Sequence, residues 1–237
     1  MVILFITLAA CKDTDNRAFG DDFDFPALTD ENTIRFTVNV VGDWRQLDIV
    51  ASGGRMVIDW GNGRIQKIED PSSMTGGMVY RYGNKGSYEV KIWAEELQFI
   101  DISGLLLPLS NLYLGNMPRM KSLALNSISD TRELDLNTFC PNVESINIGR
   151  FADLERLEIK DCSRLRSIQV YSNPKLTSIE FGSHPETESL YCSYNDLSSL
   201  SLKSLPALRN IDLSSNERLS HLELNEETSI SAILIQG

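Results

Sequence analysis

Histidine is nearly absent from this chain: His184 and His221 are the only two in 237 residues. The four cysteines, Cys11, Cys140, Cys162 and Cys192, show no CxxC spacing, and neither histidine belongs to a metal or nucleophile motif. No glycine-rich phosphate loop occurs. Positive charge is scarce as well, with 22 Lys and Arg against 33 Asp and Glu and a formal net charge of -11. That balance argues against a general attraction to nucleic acid or to an anionic bilayer surface. Nor does any apolar run approach the roughly 20 residues of a membrane-spanning helix. These absences point to a binding or scaffolding protein without cofactor or metal, and not to an enzyme.

What is present begins with a short apolar run, Val2 to Ala10, ending in Leu8-Ala9-Ala10-Cys11. The run and its small residues before a cysteine resemble a bacterial lipoprotein signal, which implies a signal peptide over 1–10 and lipidation of Cys11. No Lys or Arg precedes the run, a departure from the usual basic start; a plain secretory signal or a buried strand is the competing reading. Lys12-Asp13-Thr14-Asp15 opens a polar, acidic tract that includes Asp21, Asp22 and Asp24. Such a tract cannot bury enough apolar surface to fold and suits a flexible tether over 11–30. Lys and acid directly after the cysteine are similar to surface-export signals of Bacteroidetes lipoproteins, which implies an outer-membrane anchor facing the cell surface.

Residues 31–96 read as a small antiparallel sandwich. Thr33 to Val41 alternates with Ile34, Phe36, Val38 and Val40 on one side. Arg55 to Trp60 and Arg64 to Ile68 flank Gly61-Asn62-Gly63, a hairpin turn by composition. Met78 to Tyr82 and Ser87 to Ala94 follow, separated by Gly83-Asn84-Lys85-Gly86. The segments Ile58-Asp59-Trp60-Gly61-Asn62-Gly63, Tyr80-Arg81-Tyr82 and Gly86-Ser87-Tyr88-Glu89-Val90-Lys91-Ile92 resemble a PKD-type, immunoglobulin-like domain. Asn62 replaces the usual aspartate of that pattern and Tyr80 its histidine. The resemblance implies a spacer module.

Residues 97–237 carry the strongest signal. A pair of apolar residues one position apart recurs thirteen times, from Ile100/Ile102 through Leu157/Ile159 to Ile233/Ile235. The step is 11 residues and slips to 10 or 12 only three times. Alternate steps differ, so the unit is about 22 residues, and one series places Asn173, Asn195 and Asn216 in L-x-x-L-x-L-x-x-N arrangements. These resemble leucine-rich repeats. Asparagine suits a corner where backbone groups face inward, because its amide both donates and accepts. Phe151 and Ile128 hold that place in earlier coils. The fold expected is therefore mostly β: a PKD-like sandwich, which caps the first coil, then a leucine-rich-repeat solenoid whose last half coil, Ile230 to Gly237, leaves an open edge.

Two outward columns follow from the period. On the asparagine-bearing face the middle column is Asp101, Ala124, Asn147, Gln169, Tyr191, Asp212 and Leu234. Gln169, Tyr171, Tyr191, Ser193, Tyr194 and Asp212 make a candidate ligand patch, with Tyr171 and Tyr191 diagonal across adjacent coils; a merely decorated regular sheet is the alternative. The opposite face aligns Tyr113, Asp135, Glu158, Glu180, Ser201 and Glu223, flanked by Arg156, Lys160 and Lys203. A solvated, aggregation-resistant face and a divalent-ion or basic-partner site are its two readings. Together these features describe a surface lipoprotein that binds a protein or glycan ligand through the solenoid, as in adhesion or host interaction. A subunit of an outer-membrane envelope or nutrient-uptake complex is the alternative.

Overall fold

The computed structural model describes residues 32–235 apart from 44, 75 and 104–106. The signal-peptide, lipidation and tether assignments at 1–30 lie outside the described residues. The chain is mostly β, and its repeat region is a β-solenoid of about 6 coils of ~22 residues. Six strands precede the repeats: β1 (Thr33–Val40), β2 (Gln46–Ser52), β3 (Met56–Asp59), β4 (Ile65–Ile68), β5 (Met78–Arg81) and β6 (Gly86–Ala94). Then come β7 (Phe99–Ser103), β8 (Leu109–Leu114), β9 (Ser122–Asn126), β10 (Glu133–Asp135), β11 (Ser145–Gly149) and β12 (Arg156–Ile159). The last seven are β13 (Ser167–Tyr171), β14 (Ser178–Phe181), β15 (Ser189–Tyr191), β16 (Ser199–Leu202), β17 (Asn210–Asp212), β18 (His221–Leu224) and β19 (Ala232–Leu234).

One sheet runs through both halves of the molecule. Its order is β19-β17-β15-β13-β11-β9-β7-β2-β5, parallel from β19 to β7 and antiparallel beyond it. The opposite wall of the solenoid is β10-β12-β14 and, after a break, β16-β18. The break coincides with the one step, Leu190 to Leu200, that is 10 residues and not 11. A second N-terminal sheet has the order β4-β3-β6-β1-β8.

The two N-terminal sheets meet through aromatic rings. Trp60 stacks on Tyr80 at 4.5 Å between centroids, Tyr82 stands edge-on to Tyr80 at 4.9 Å, and Tyr88 stacks on Tyr82 at 4.4 Å. The Tyr82 hydroxyl donates to the Trp60 carbonyl at 3.2 Å, so its burial leaves no unpaired group. Gly61 supplies a left-handed turn, φ +78, where a Cβ would lie 2.6 Å from the Glu89 carbonyl oxygen. The apolar core is continuous from Ile34 and Trp60 to Ile211 and Leu213.

Two details depart from the sequence reading. Gln46–Ser52 is a strand that the sequence reading passes over; Leu47, Ile49 and Ala51 are buried along it, but Asp48 and the flanking polar residues dilute the pattern. Leu112, Tyr113 and Leu114 do not open the opposite wall of the solenoid. They lie on β8, which runs antiparallel to β1 with Arg35 opposite Tyr113 and Ile34 opposite Leu114. The Arg35 guanidinium sits 4.1 Å from the Tyr113 ring centre. Periodicity fixes which side chains face inward, but not which neighbour a strand bonds to, and β1 offers β8 an open edge.

Among the described glycines the closest approach is at Gly182, where an added Cβ would lie 1.8 Å from the Lys160 carbonyl oxygen. Backbone on both sides leaves nothing to rotate away. Gly182→Ala should therefore cost about 3 kcal/mol or more in urea unfolding. Gly83→Ala, with nothing within 4 Å of the new methyl, should change stability by no more than about 0.5 kcal/mol. Equal, small effects would show that the coils yield at Gly182.

Candidate functional site

The outward face of the long sheet is an ordered grid. Its middle row pairs Asp101, Ala124, Asn147, Gln169, Tyr191, Asp212 and Leu234 in register, coil after coil. A second row runs from Phe99 through Ser122, Ser145, Ser167, Ser189 and Asn210 to Ala232, equally in register. The sequence reading does not single out this serine row, although a serine before the first apolar residue recurs at Ser122, Ser145, Ser167 and Ser189. Asn147 donates to the Gln169 amide oxygen at 3.4 Å, a weak amide step along the middle row. Asp212 accepts from the Ser214 backbone N–H at 2.9 Å, which fixes its carboxylate at the end of β17.

The tyrosines of the grid play different parts. Tyr171 stands diagonal to Tyr191 in the strand register, but its side chain turns the other way. Its hydroxyl donates to Asn126 Oδ1 at 2.8 Å, so its ring lies across Gly149 toward a coil nearer the N-terminus. Gly149 makes room: a Cβ there would meet Tyr171 Cζ at 2.6 Å. Tyr191 is 38% exposed and Tyr194 63% exposed. Tyr194 holds a left-handed backbone, φ 59, a conformation that costs a bulky residue about 1 to 2 kcal/mol. Ser193 is half-buried between them.

Behind this face, the corner asparagines are buried. Asn173 is 0% exposed, and Asn195 and Asn216 are 6% exposed. Each amide reaches back one coil: Asn173 Nδ2 donates to the Ile148 carbonyl at 3.2 Å, Asn195 Nδ2 to Val170 at 2.8 Å and Asn216 Nδ2 to Cys192 at 2.7 Å. Their oxygens accept from backbone N–H groups of Phe151, Asn173 and Leu197. The residue before each corner position, Ser127, Arg150, Ser172, Tyr194 or Ser215, has φ between 57 and 63. Phe151 and Ile128 fill the earlier corners as buried apolar plugs.

On the opposite wall the acidic column is Asp135, Glu158 and Glu180 in register, then Ser201 and Glu223. Arg156 and Lys160 each bridge both Glu158 and Glu180. The Lys160 hydrogen bond holds the Glu180 carboxyl below its ordinary range, and in return Glu180 raises Lys160. Glu223 is likewise held low by Ser201, at 2.8 Å, and by Lys203, at 3.2 Å. A shallow depression of about 480 Å³ lies beside β16 and β18, where Ser220 Oγ is 2.9 Å from His221 Nδ1. There the Glu223 carboxylate is engaged by Ser201 and Lys203 rather than by His221. No three His, Cys, Asp or Glu side chains among the described residues are placed to hold a metal ion, and no described helix is long and apolar enough to cross a membrane.

The other corner of the solenoid stacks Cys140, Cys162 and His184, all 0% exposed. The cysteines are free thiols, and their mutual contact and burial push the Cys140 thiol up. His184 is a residue whose setting the sequence could not disclose. The Gly182 N–H donates to its Nε2 at 3.1 Å, so Nδ1 carries the proton and donates to the Cys162 carbonyl at 3.1 Å. Burial lowers its affinity for a second proton, and the Cys162 carbonyl offsets this only in part.

Two outcomes are expected from these corners. Asn195→Ala leaves the Val170 carbonyl and the Asn173 N–H without partners, and should lower unfolding free energy by roughly 2 to 4 kcal/mol. A loss below about 0.5 kcal/mol would mean the corner relaxes without its amide. His184 binds a proton more readily unfolded than folded, so its contribution is intact above the unfolded value near 6.5 and declines as pH falls below it. Urea midpoints from pH 7.5 to 5.5 should therefore fall more steeply for the native chain than for His184→Gln; parallel curves would refute the neutral-histidine assignment.

Compared with known proteins, the chain matches no family model, no curated protein and no solved structure.

Proposed function

We propose that the chain is a lipid-anchored protein of the bacterial cell surface whose solenoid binds a protein or glycan ligand, with the N-terminal module as its stalk. The observation that carries this reading is the grid on the long sheet, where the exposed rings of Tyr191 and Tyr194 stand among Gln169, Ser193 and Asp212. Tyrosine gives large contact area at low entropic cost, and amides and hydroxyls around it supply directional bonds. The leucine-rich-repeat reading is supported by the buried corner asparagines and the 22-residue strand register. The PKD-like reading is supported by the Trp60–Tyr80–Tyr82–Tyr88 stack and the Gly61 turn. The lipid anchor rests on the Leu8-Ala9-Ala10-Cys11 run alone. Against an enzymatic role, the opposite-wall carboxylates are tied into ion pairs on an open face, whereas glycoside hydrolysis needs two free carboxyls across a cleft.

One observation favours a second reading, a subunit of an envelope complex. On β19, Ile233 and Leu234 are 43% and 54% exposed, and Ile235 is 50% exposed. Ile233 continues the inward column of Ile211, so a further β element stacked on β19 would complete that layer, and in this reading a partner subunit supplies it.

Protease treatment of intact producing cells separates the two, with a periplasmic protein as control. The surface reading expects the chain to be degraded while the control survives. Protection until the cells are lysed would remove the adhesion role and leave the envelope complex.

A further inference from the structure

We infer that the ligand of the long-sheet face is an uncharged, linear polysaccharide lying along the coil axis; this rests on the reading of that face as the binding surface. The inference comes from what the grid contains. The in-register rows offer hydroxyls at Ser122, Ser145, Ser167 and Ser189, amides at Asn147 and Gln169, the ring of Tyr191 and the carboxylate of Asp212. No Lys or Arg stands in either row. The nearest bases stand at the two rims: Lys121, Arg166 and Arg209 lie one position outside the serine row and alternate coil by coil with Glu144 and Glu188, and Arg150 lies at the other rim in the column of Tyr194. A sulfated or uronic-acid chain would meet the Asp212 carboxylate in the middle row, with the bases confined to the rims.

A protein partner is served less well. The buried centre of a protein interface is mainly apolar, with aromatic anchors seated in pockets. Here the middle row between Asn147 and Asp212 gives one ring, Tyr191, among polar groups on an open sheet. A sugar ring matches both parts: its C–H face packs on an aromatic ring, while its hydroxyls exchange hydrogen bonds with amides, serines and a carboxylate. The rows are straight and regular, so the complementary molecule is extended and repeating. From Asn147 to Asp212 the grid spans about 14 Å at about 4.8 Å per coil, which accommodates a short run of linked sugars. Tyr171, tied down to Asn126 over Gly149, keeps that path level beside the middle row.

The test is binding of the detergent-solubilised full chain to an array of linear neutral glucans and mannans, with heparin and polygalacturonate as anionic probes. Neutral chains should bind, and 1 M NaCl should not release them because no ion pair is involved. Tyr191→Ala should weaken binding about tenfold or more, while Tyr191→Phe retains it; Tyr191 is partly exposed, and a circular-dichroism melt checks that the fold is kept. Binding confined to the anionic probes, or to no glycan, overturns the inference. If no glycan binds but a protein cross-linked on intact cells is lost with Tyr191→Ala, the face remains the binding surface and the polysaccharide assignment falls. If neutral chains bind and both Tyr191→Ala and Gln169→Ala leave affinity unchanged, the site lies elsewhere and both readings fall.

Discussion

Each coil of this molecule can cover its apolar side only with the next coil, and that dependence sets everything else. Apolar pairs point inward from the middle strands, as at Ile146/Ile148 and Ile168/Val170, and are fully buried only because neighbours stand in register. Stacking coils this closely turns backbone groups inward at the corners, where water cannot reach them. Asn173, Asn195 and Asn216 answer that problem with amides whose nitrogen donates to a carbonyl of the preceding coil and whose oxygen accepts a backbone N–H from that same coil. Where Phe151 and Ile128 stand instead, the corner is filled with apolar volume, and the Asn173 oxygen still serves the Phe151 N–H. The second corner solves the same problem with His184, kept neutral because both ring nitrogens have partners that suit only that form.

A stack of this kind has two ends, and they are treated differently. At the first, β2 pairs antiparallel with β7, so the N-terminal module closes the edge with backbone hydrogen bonds as well as apolar contact. β8 exchanges in the other direction, leaving the repeat region to border β1. The N-terminal module and the solenoid therefore share a sheet and a core. At the other end, β19 carries Ile233 and Leu234 half-exposed.

The outward grid inherits its regularity from the same register. Strands locked to one another by the buried pairs must present their alternate residues in straight rows, whatever those residues are. The rows are built from serine, amides, tyrosine and aspartate, with the bases only at the rims. The opposite wall, built on equal regularity, is instead consumed by its own ion pairs, as Arg156 and Lys160 show.

Much of this was legible in the residues. The 11-residue step determines which side chains are inward and places Asn147, Gln169, Tyr191 and Asp212 in one row, because a period-two strand and a fixed coil length leave no other assignment. The corner asparagines follow from the same spacing. What the sequence left undecided is which backbone pairs with which, and where a side chain lies once its face is known. β8 joined β1 because an open edge was nearby in space, and Tyr171 turned to Asn126 because Gly149 left room for its ring. His184 became a buried, neutral corner because the Cys162 carbonyl of the preceding coil meets its Nδ1 while the Gly182 N–H of its own turn meets Nε2. Periodicity is a local property of the chain and was read from it; hydrogen-bond partners and steric room arise between distant segments, and only the tertiary structure decided them.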